Sequence, residues 1–216
     1  MADIFQEVDE DLRRDRASAL WRRYGKFVLA GAVVLVLATA AWSGWRHYRN
    51  QQQLEAGTKF TQALILANQG QDEAAGKAFA EVAGGSASGF AMLGRLETAN
   101  LKARAGDRPG AIAIYEAVAA DSSVPEPYRQ GALLLAVMNA ADSGDPKALA
   151  DRLQPLAADG SPWRHSAREL QAVLAQKAGD LARARTLLQS LADDAQAPQG
   201  VKQRAGEMMR AIGGGA

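Results

Sequence analysis

The sequence contains no cysteine, which excludes disulfides, thiolate metal sites, a cysteine nucleophile and a bacterial lipoprotein anchor. Aromatic residues make up only 6% of the chain, and runs of β-branched residues are scarce outside one segment. Alanine, the best helix former, is abundant instead. This composition favours an all-α protein over a sheet protein.

An excess of either charge is also missing. After residue 45 the chain carries 19 basic and 18 acidic residues, so it has no broad cationic field. Binding to nucleic-acid phosphates requires such a field, and we therefore expect no nucleic-acid partner.

Recognisable catalytic motifs are absent as well. The two histidines, His47 and His165, are too far apart to form a metal motif, and no P-loop, dinucleotide fingerprint or nucleophile elbow occurs. We therefore predict no catalytic residue, no metal, no cofactor and no small-molecule substrate. An envelope hydrolase is the enzymatic alternative, and no residue cluster supports it.

One long apolar run is present, from Phe27 to Trp45, and it contains no charged side chain. At 1.5 Å per residue it would span roughly 28 Å, close to the ~30 Å hydrocarbon core of a bilayer. Aromatic and basic residues flank both ends, as membrane–water interfaces favour. The predicted anchor residues are Trp21, Tyr24, Lys26, Phe27, Trp42, Trp45 and Arg46.

Basic residues are concentrated before this segment, which predicts a cytoplasmic N-terminus and a body in the periplasm. The expected organisation is a cytoplasmic tail at 1–26, a transmembrane helix at 27–45, a periplasmic domain at 46–212 and a flexible tail at 213–216. Three alternatives are a buried core helix, a signal peptide cleaved near Ala38-Thr39-Ala40, and a body that stays in the cytoplasm.

Four stretches after the apolar run resemble one another, with their first glycines 36, 38 and 35 residues apart. A glycine ends one helix in each stretch and an aspartate or its neighbour begins the next. Apolar residues five and nine positions after each glycine fall on one helix face. The predicted turn residues are Gly70, Gly106, Asp107, Gly144, Asp145, Gly179 and Asp180, and the predicted packing residues are Ala75, Phe79, Ala111, Tyr115, Leu149, Leu153, Ala184 and Leu188.

A helix also precedes each glycine, so the unit is a helix, a tight turn and a second helix. The segment from Pro198 to Ile212 looks like a lone capping helix. The predicted fold is all-α, with one N-terminal transmembrane helix followed by a solenoid of about four helix pairs and a cap. An ordinary helical bundle with hairpins of similar length is the alternative.

The spacing of Gly106, Ala111, Tyr115 and Val118 resembles the second half of the tetratricopeptide repeat. The first half of that repeat's signature is missing, so these would be degenerate repeats. The resemblance implies a protein-binding groove lined by the first helix of each pair. Polar residues on those helices are the groove candidates: Arg95, Asn100, Arg129, Asn139 and Arg168.

The whole chain resembles a narrower family, the ancillary subunits of the bacterial SecYEG translocon, in its alphaproteobacterial branch. The resemblance rests on Tyr24-Gly25-Lys26 before the apolar run, on Gly44-Trp45-Arg46-His47-Tyr48 after it, and on the opening ADIFQEVDEDLRRDRA. It implies a non-enzymatic accessory role at the Sec translocon, with SecYEG and periplasmic chaperones as partners. A scaffold for envelope assembly or cell division is the alternative.

Overall fold

The computed structural model describes residues 3–213 of the chain, without the side chains of residues 3–20, 25 and 28. This part of the chain contains ten helices and no strand. Their bounds are α1 Asp3–Asn68, α2 Asp72–Ala83, α3 Ser88–Arg104, α4 Arg108–Ala120, α5 Glu126–Ala140, α6 Pro146–Arg152, α7 Gln154–Ala157, α8 Arg164–Lys177, α9 Leu181–Asp193 and α10 Gln199–Gly213.

The chain divides into two compact units, one ending at Leu54 and the other beginning at Glu55. In the first unit, the apolar part of α1 packs against no other described element: Leu35, for example, is 67% exposed. The stretch Leu29–Asn68 of α1 is long and apolar enough to cross a membrane, and none of its most apolar window is buried. The fold prediction of one long apolar N-terminal helix is confirmed.

Helix α1 continues without a break beyond the apolar run, to Asn68. The residues between Arg46 and Thr58 include no proline, and glutamine, glutamate and arginine among them are good helix formers. Nothing local therefore ends the helix at the expected boundary after Trp45. Of the expected flexible tail at 213–216, Gly213 ends α10, and residues 214–216 lie outside the described residues.

The second unit stacks helices that are neighbours in the chain. The last part of α1 pairs with α2, α3 with α4, and α8 with α9, while α10 covers α9. Helix α5 shares one core cluster with α6 and α7. The predicted solenoid of four helix pairs with a final capping helix is confirmed.

Small and large apolar residues alternate inside this stack. The eight residues predicted to pack are all buried in the structure: Ala75, Phe79, Ala111, Tyr115, Leu149, Leu153, Ala184 and Leu188. Phe79 also meets the ring of Phe60 at a centroid distance of 5.6 Å, in the tilted arrangement that aromatic pairs prefer. The alanines five positions after the glycines let the two helices of a pair approach closely.

Three of the four repeat turns follow one design. Gly70, Gly106 and Gly179 have φ between 74° and 86°, which a residue with a Cβ rarely adopts. The aspartates after the last two cap the next helix: Asp107 accepts the Gly110 amide at 3.0 Å and Asp180 accepts the Arg183 amide at 2.9 Å. In the first of the four repeat turns, Gln71 occupies the N-cap position of α2, and its side chain makes no capping hydrogen bond.

The turn at Gly144 differs from the expectation that its glycine takes a left-handed conformation, because Gly144 does not have positive φ. The turn is longer, and the Gly144 amide donates to the Ala140 carbonyl at 2.8 Å. A Cβ here would lie 2.9 Å from Leu149 Cδ1 and 3.2 Å from the Ala140 carbonyl oxygen, so the leucine side chain would have to shift to admit it. The following Asp145 still caps α6, accepting the amides of Lys147 and Ala148.

The second helix of the third repeat is interrupted between α6 and α7. Pro155 has no amide hydrogen and its ring clashes with the preceding turn, so a continuous helix is disfavoured. Gln171 of α8 is only 3% exposed and donates its side-chain amide to the Ala150 carbonyl at 3.1 Å. A buried side chain from the next repeat therefore adds a second hydrogen bond to this carbonyl, which also accepts the Leu153 amide at 3.2 Å.

Ion pairs join residues about one repeat apart. Asp142, between α5 and α6, accepts hydrogen bonds from Arg108 of the preceding repeat and Lys177 of the following one. The two cations lower the pKa of the Asp142 carboxyl, Lys177 more than Arg108. Arg204 of the capping helix α10 forms a bidentate pair with Glu169 of α8, with hydrogen bonds of 2.6 and 2.8 Å.

Candidate functional site

A cleft of about 410 Å³ opens on the first helices of three successive repeats. Its walls come from the end of α1 and from α3 and α5, and Tyr115 of α4 reaches it from behind. The lining combines amide, charged and apolar side chains: Leu64, Ala67, Asn68, Glu97, Asn100, Ala103, Arg104, Tyr115, Leu135, Met138 and Asn139.

Register explains why these residues meet. Apart from Tyr115, the lining positions lie two to nine residues before the repeat glycine, and they recur in each first helix. Residues three and four apart share a helix face, so Glu97, Asn100 and Arg104 form one row on α3. Leu135 and Met138 form the corresponding row on α5.

A chain of hydrogen bonds orders the polar side of the cleft. The residue Tyr115 is 1% exposed, and its hydroxyl donates to Asn100 Oδ1. The Asn100 side-chain amide in turn donates to Glu97 Oε2 at 3.1 Å. Burial raises the pKa of the Tyr115 hydroxyl, and the nearby Glu97 charge raises it further. The tyrosine therefore remains a neutral donor that fixes Asn100 and, through it, the Glu97 carboxylate.

The five groove candidates fall into two groups. Asn100 and Asn139 line the cleft, and Asn139 donates its side-chain amide to the Leu135 carbonyl at 2.8 Å. Arg95, Arg129 and Arg168 do not line it. Arg129 is half-buried at the start of α5, and its Nε is buried without a hydrogen-bond partner.

The other two arginines hold the loops that connect the repeats. Arg95 pairs with Asp121 at 3.0 Å. Arg168 donates to the Ala157 carbonyl at 3.0 Å and to Asp159 at 2.8 Å. Both side chains are therefore engaged in structural contacts and not directed at the cleft.

A repeat signal that the sequence analysis missed explains these loop contacts. An aspartate lies 15 residues after each of the last three repeat glycines: Asp121, Asp159 and Asp194. Asp121 and Asp194 each accept the backbone amide two residues on, at 3.0 and 2.8 Å. Each of the three also pairs with an arginine from a first helix.

The predicted anchor residues lie on the exposed surface of α1, and the rings of Trp21, Tyr24, Phe27, Trp42 and Trp45 are between 49% and 64% exposed. The Lys26 ammonium lies 5.2 Å from the centre of the Phe27 ring, and the Arg49 guanidinium lies 5.0 Å from that of Trp45. The ring centres of Trp42 and Trp45 lie 5.9 Å apart, and Arg46 is the next residue on the exposed helix surface. Aromatic–cation clusters thus occur at both ends of the apolar segment.

The polar residues of the described chain do not assemble a metal site. Within the described residues, no group of three or more histidine, aspartate or glutamate side chains could hold a metal ion. His47 contacts the Gln51 side chain at 3.0 Å, and His165 contacts Asp194 at 3.0 Å, where it joins α8 to the loop before α10.

One family model matches the sequence. It is described as a tetratricopeptide repeat-like domain and matches residues 18–136, more than half of the 216-residue chain. The matched region includes the apolar segment, the first two repeats and most of α5, which together contain every residue lining the cleft except Met138 and Asn139. No curated protein and no solved structure matches the chain.

Proposed function

We propose a function from one premise: the chain belongs to the tetratricopeptide repeat-like domain family. Repeats of this kind are typically scaffolds for protein partners rather than catalysts. The chain is then a non-enzymatic, membrane-anchored module that binds other proteins. The observation that carries this proposal is the ordered cleft on the first helices of three repeats.

The anchor is the apolar part of α1. Its large apolar side chains would contact water in a soluble protein, because no other described element covers them. In a bilayer the same side chains face lipid, and the aromatic and basic residues at each end lie at the two interfaces. A single span then separates the tail at 1–26 from the repeat domain.

The orientation follows from the basic residues. Six lysines and arginines lie in the 26 residues before the apolar run, and they favour a cytoplasmic N-terminus. The repeat domain at 46–212 is then periplasmic. Tethering to the membrane raises its effective concentration near other membrane proteins.

The partner that fits this arrangement is the protein-export machinery. The flanks of the apolar run and the opening sequence resemble the ancillary subunits of the SecYEG translocon, and this resemblance supports the assignment. In this role the protein is an accessory subunit that binds SecYEG and links export to periplasmic chaperones.

A cross-linking pull-down from membranes tests the proposal. The full chain should recover translocon subunits and periplasmic chaperones. Recovery of envelope-assembly or division proteins in their place, or of no partner, contradicts the translocon role.

Two arginine substitutions test whether the cleft carries the binding. Met138→Arg places a charge in the cleft at a side chain that is 53% exposed, so folding should tolerate it. Leu181→Arg is the matched control on α9, where the leucine is 42% exposed and away from the cleft. At least one partner should be lost with Met138→Arg and retained with Leu181→Arg. Equal recovery with both variants would show that the cleft is not the binding surface.

A further inference from the structure

We propose that the cleft binds an extended protein segment carrying one basic and one acidic residue three positions apart, the basic one at Glu97 and the acidic one at Arg104. This inference rests on the proposed function and specifies the chemistry of the bound segment. Several charges elsewhere on the second unit are already paired with each other, such as Lys102 with Asp107 and Arg108 with Asp142.

Glu97 is an anion held in position for a cation. The half-buried carboxylate accepts a hydrogen bond from Asn100, which Tyr115 orients from behind. Within the described residues no lysine, arginine or histidine forms an ion pair with it. An ordered carboxylate at the wall of a cleft favours a lysine or arginine from a partner, and it disfavours a terminal carboxylate by repulsion.

Arg104 is the complementary cation. It is exposed in the last turn of α3 and lines the cleft, and no described acidic side chain pairs with it. Its neighbour Lys102, by contrast, is paired with Asp107 at 2.7 Å. Arg104 is thus the cation on this helix that a partner's carboxylate can reach without displacing an existing ion pair.

The spacing of the two charges sets the spacing in the partner. Glu97 and Arg104 are seven residues apart on α3, so they lie on one face about 10 Å apart along the axis. An extended chain in the polyproline II conformation rises about 3.1 Å per residue with three residues per turn, so residues three positions apart share one face and cover about 9 Å. A helical partner would need its two charges seven residues apart, but its backbone groups are already hydrogen-bonded internally. The side-chain amides of Asn68 and Asn139 in the lining favour an extended chain, whose backbone groups are free to bond them.

The helices α1 and α5 supply apolar and amide contacts to the cleft. Leu135 and Met138 of α5 and Leu64 of α1 offer apolar surface for a side chain between the two charges. The amides of Asn68 and Asn139 can hydrogen-bond a partner's backbone and so favour one chain direction. The order of the two charges along the partner should therefore matter as well as their spacing.

Labelled synthetic peptides test the proposal by fluorescence anisotropy, with the full chain in nanodiscs. Four ten-residue hosts with blocked ends and one central leucine carry Lys-x-x-Glu, Glu-x-x-Lys, Gln-x-x-Gln, or Lys and Glu seven apart. One of the two peptides with charges three apart should bind at least fivefold tighter than the glutamine peptide, and 0.5 M salt should reduce this difference. Equal binding of all four, or tighter binding of the peptide with charges seven apart, would overturn the inference.

Charge variants assign the preference to the two residues. Glu97→Gln and Arg104→Gln should each weaken the preferred peptide about two- to fivefold. The controls Glu73→Gln on α2 and Arg183→Gln on α9 should leave binding unchanged, since both residues lie outside the cleft. The double variant Glu97→Lys with Arg104→Glu should prefer the opposite charge order, and an unchanged preference would overturn the inference.

These outcomes separate the inference from the function it rests on. If the unchanged protein binds the charged and uncharged peptides equally, the inference alone is overturned. The proposal that proteins bind at the cleft is contradicted only if Met138→Arg leaves the set of proteins recovered from membranes unchanged.

Discussion

Replacing Gly94 with alanine should destabilise the repeat domain through a contact between two helices. Gly94 lies inside α3, and a Cβ there would lie 2.8 Å from the Phe79 carbonyl oxygen and 2.9 Å from the Ala83 amide nitrogen of α2. Both are backbone atoms, so the clash can be relieved only if the helices move apart. Forcing an extra methyl group into a close-packed site typically costs about 1–3 kcal/mol.

A second term opposes this cost. Alanine is better than glycine inside a helix by about 1 kcal/mol, so the net loss for Gly94→Ala should be about 0–2 kcal/mol. Gly206→Ala in α10 is the matched control, because a Cβ added there would have no atom within 4 Å. It should gain about 1 kcal/mol. The difference between the two variants, about 1–3 kcal/mol, isolates the helix contact.

Urea denaturation of the full chain in detergent, followed by circular dichroism, measures this difference. Repeat arrays can unfold in segments, so hydrogen exchange of the α2 and α3 amides should accompany the melts. Faster exchange in those two helices is expected for Gly94→Ala. If Gly94→Ala stabilises the protein as much as Gly206→Ala, the close approach of α2 and α3 is wrong.

Two further predictions concern polar groups that join the repeats. Gln171→Ala should cost about 0.5–1.5 kcal/mol in urea denaturation, because it removes a buried hydrogen bond to the Ala150 carbonyl, which keeps its bond from the Leu153 amide. Gln176→Ala at an exposed position of the same helix should change stability by less than about 0.5 kcal/mol, and equal effects would contradict the role of the buried amide. The pKa of Asp142 is lower in the folded chain than the value near 3.9 expected in the unfolded chain. The ionised carboxylate therefore stabilises the fold fully above the unfolded pKa, and this stabilisation is lost as the pH falls through the folded pKa. Asp142→Asn should therefore make the urea midpoint fall less between pH 6 and pH 2.5 than in the unchanged protein, and identical pH profiles would refute this.

The fold was predictable because its signals repeat. Four glycines in register, with apolar residues at fixed offsets, define helix pairs without any knowledge of tertiary contacts. Local exceptions were harder to predict. Gly144 matched the pattern in sequence but occupies a longer turn, and Pro155 divides a segment whose apolar pattern reads as one helix.

The binding surface was only partly predictable. A helix face can be assigned from spacing, but the partner of a long side chain depends on the loops packed against it. Arg95 and Arg168 occupy first helices as expected, yet aspartates in the connecting loops engage them. The recurrence of aspartate 15 residues after the glycine would have indicated these loop contacts.

The charges in the cleft gave no signal of their own in the sequence. Glu97 and Arg104 are ordinary surface residues of a helix until the neighbouring repeats place amide and apolar side chains opposite them. Tyr115 was expected as a packing residue, which its burial matches, but its hydroxyl also orders the cleft through Asn100. This second role depends on a contact between helices that spacing alone does not specify.

The location of the repeat domain relative to the membrane tests the central claim most directly. The chain has no cysteine, so single-cysteine variants can be labelled with a membrane-impermeant maleimide in intact Gram-negative cells. The account predicts that the protein sediments with membranes, that Ser190→Cys on α9 is labelled in intact cells, and that Ser18→Cys before the apolar run is labelled only after lysis. A soluble protein, or Ser190→Cys labelled only after lysis, would contradict it.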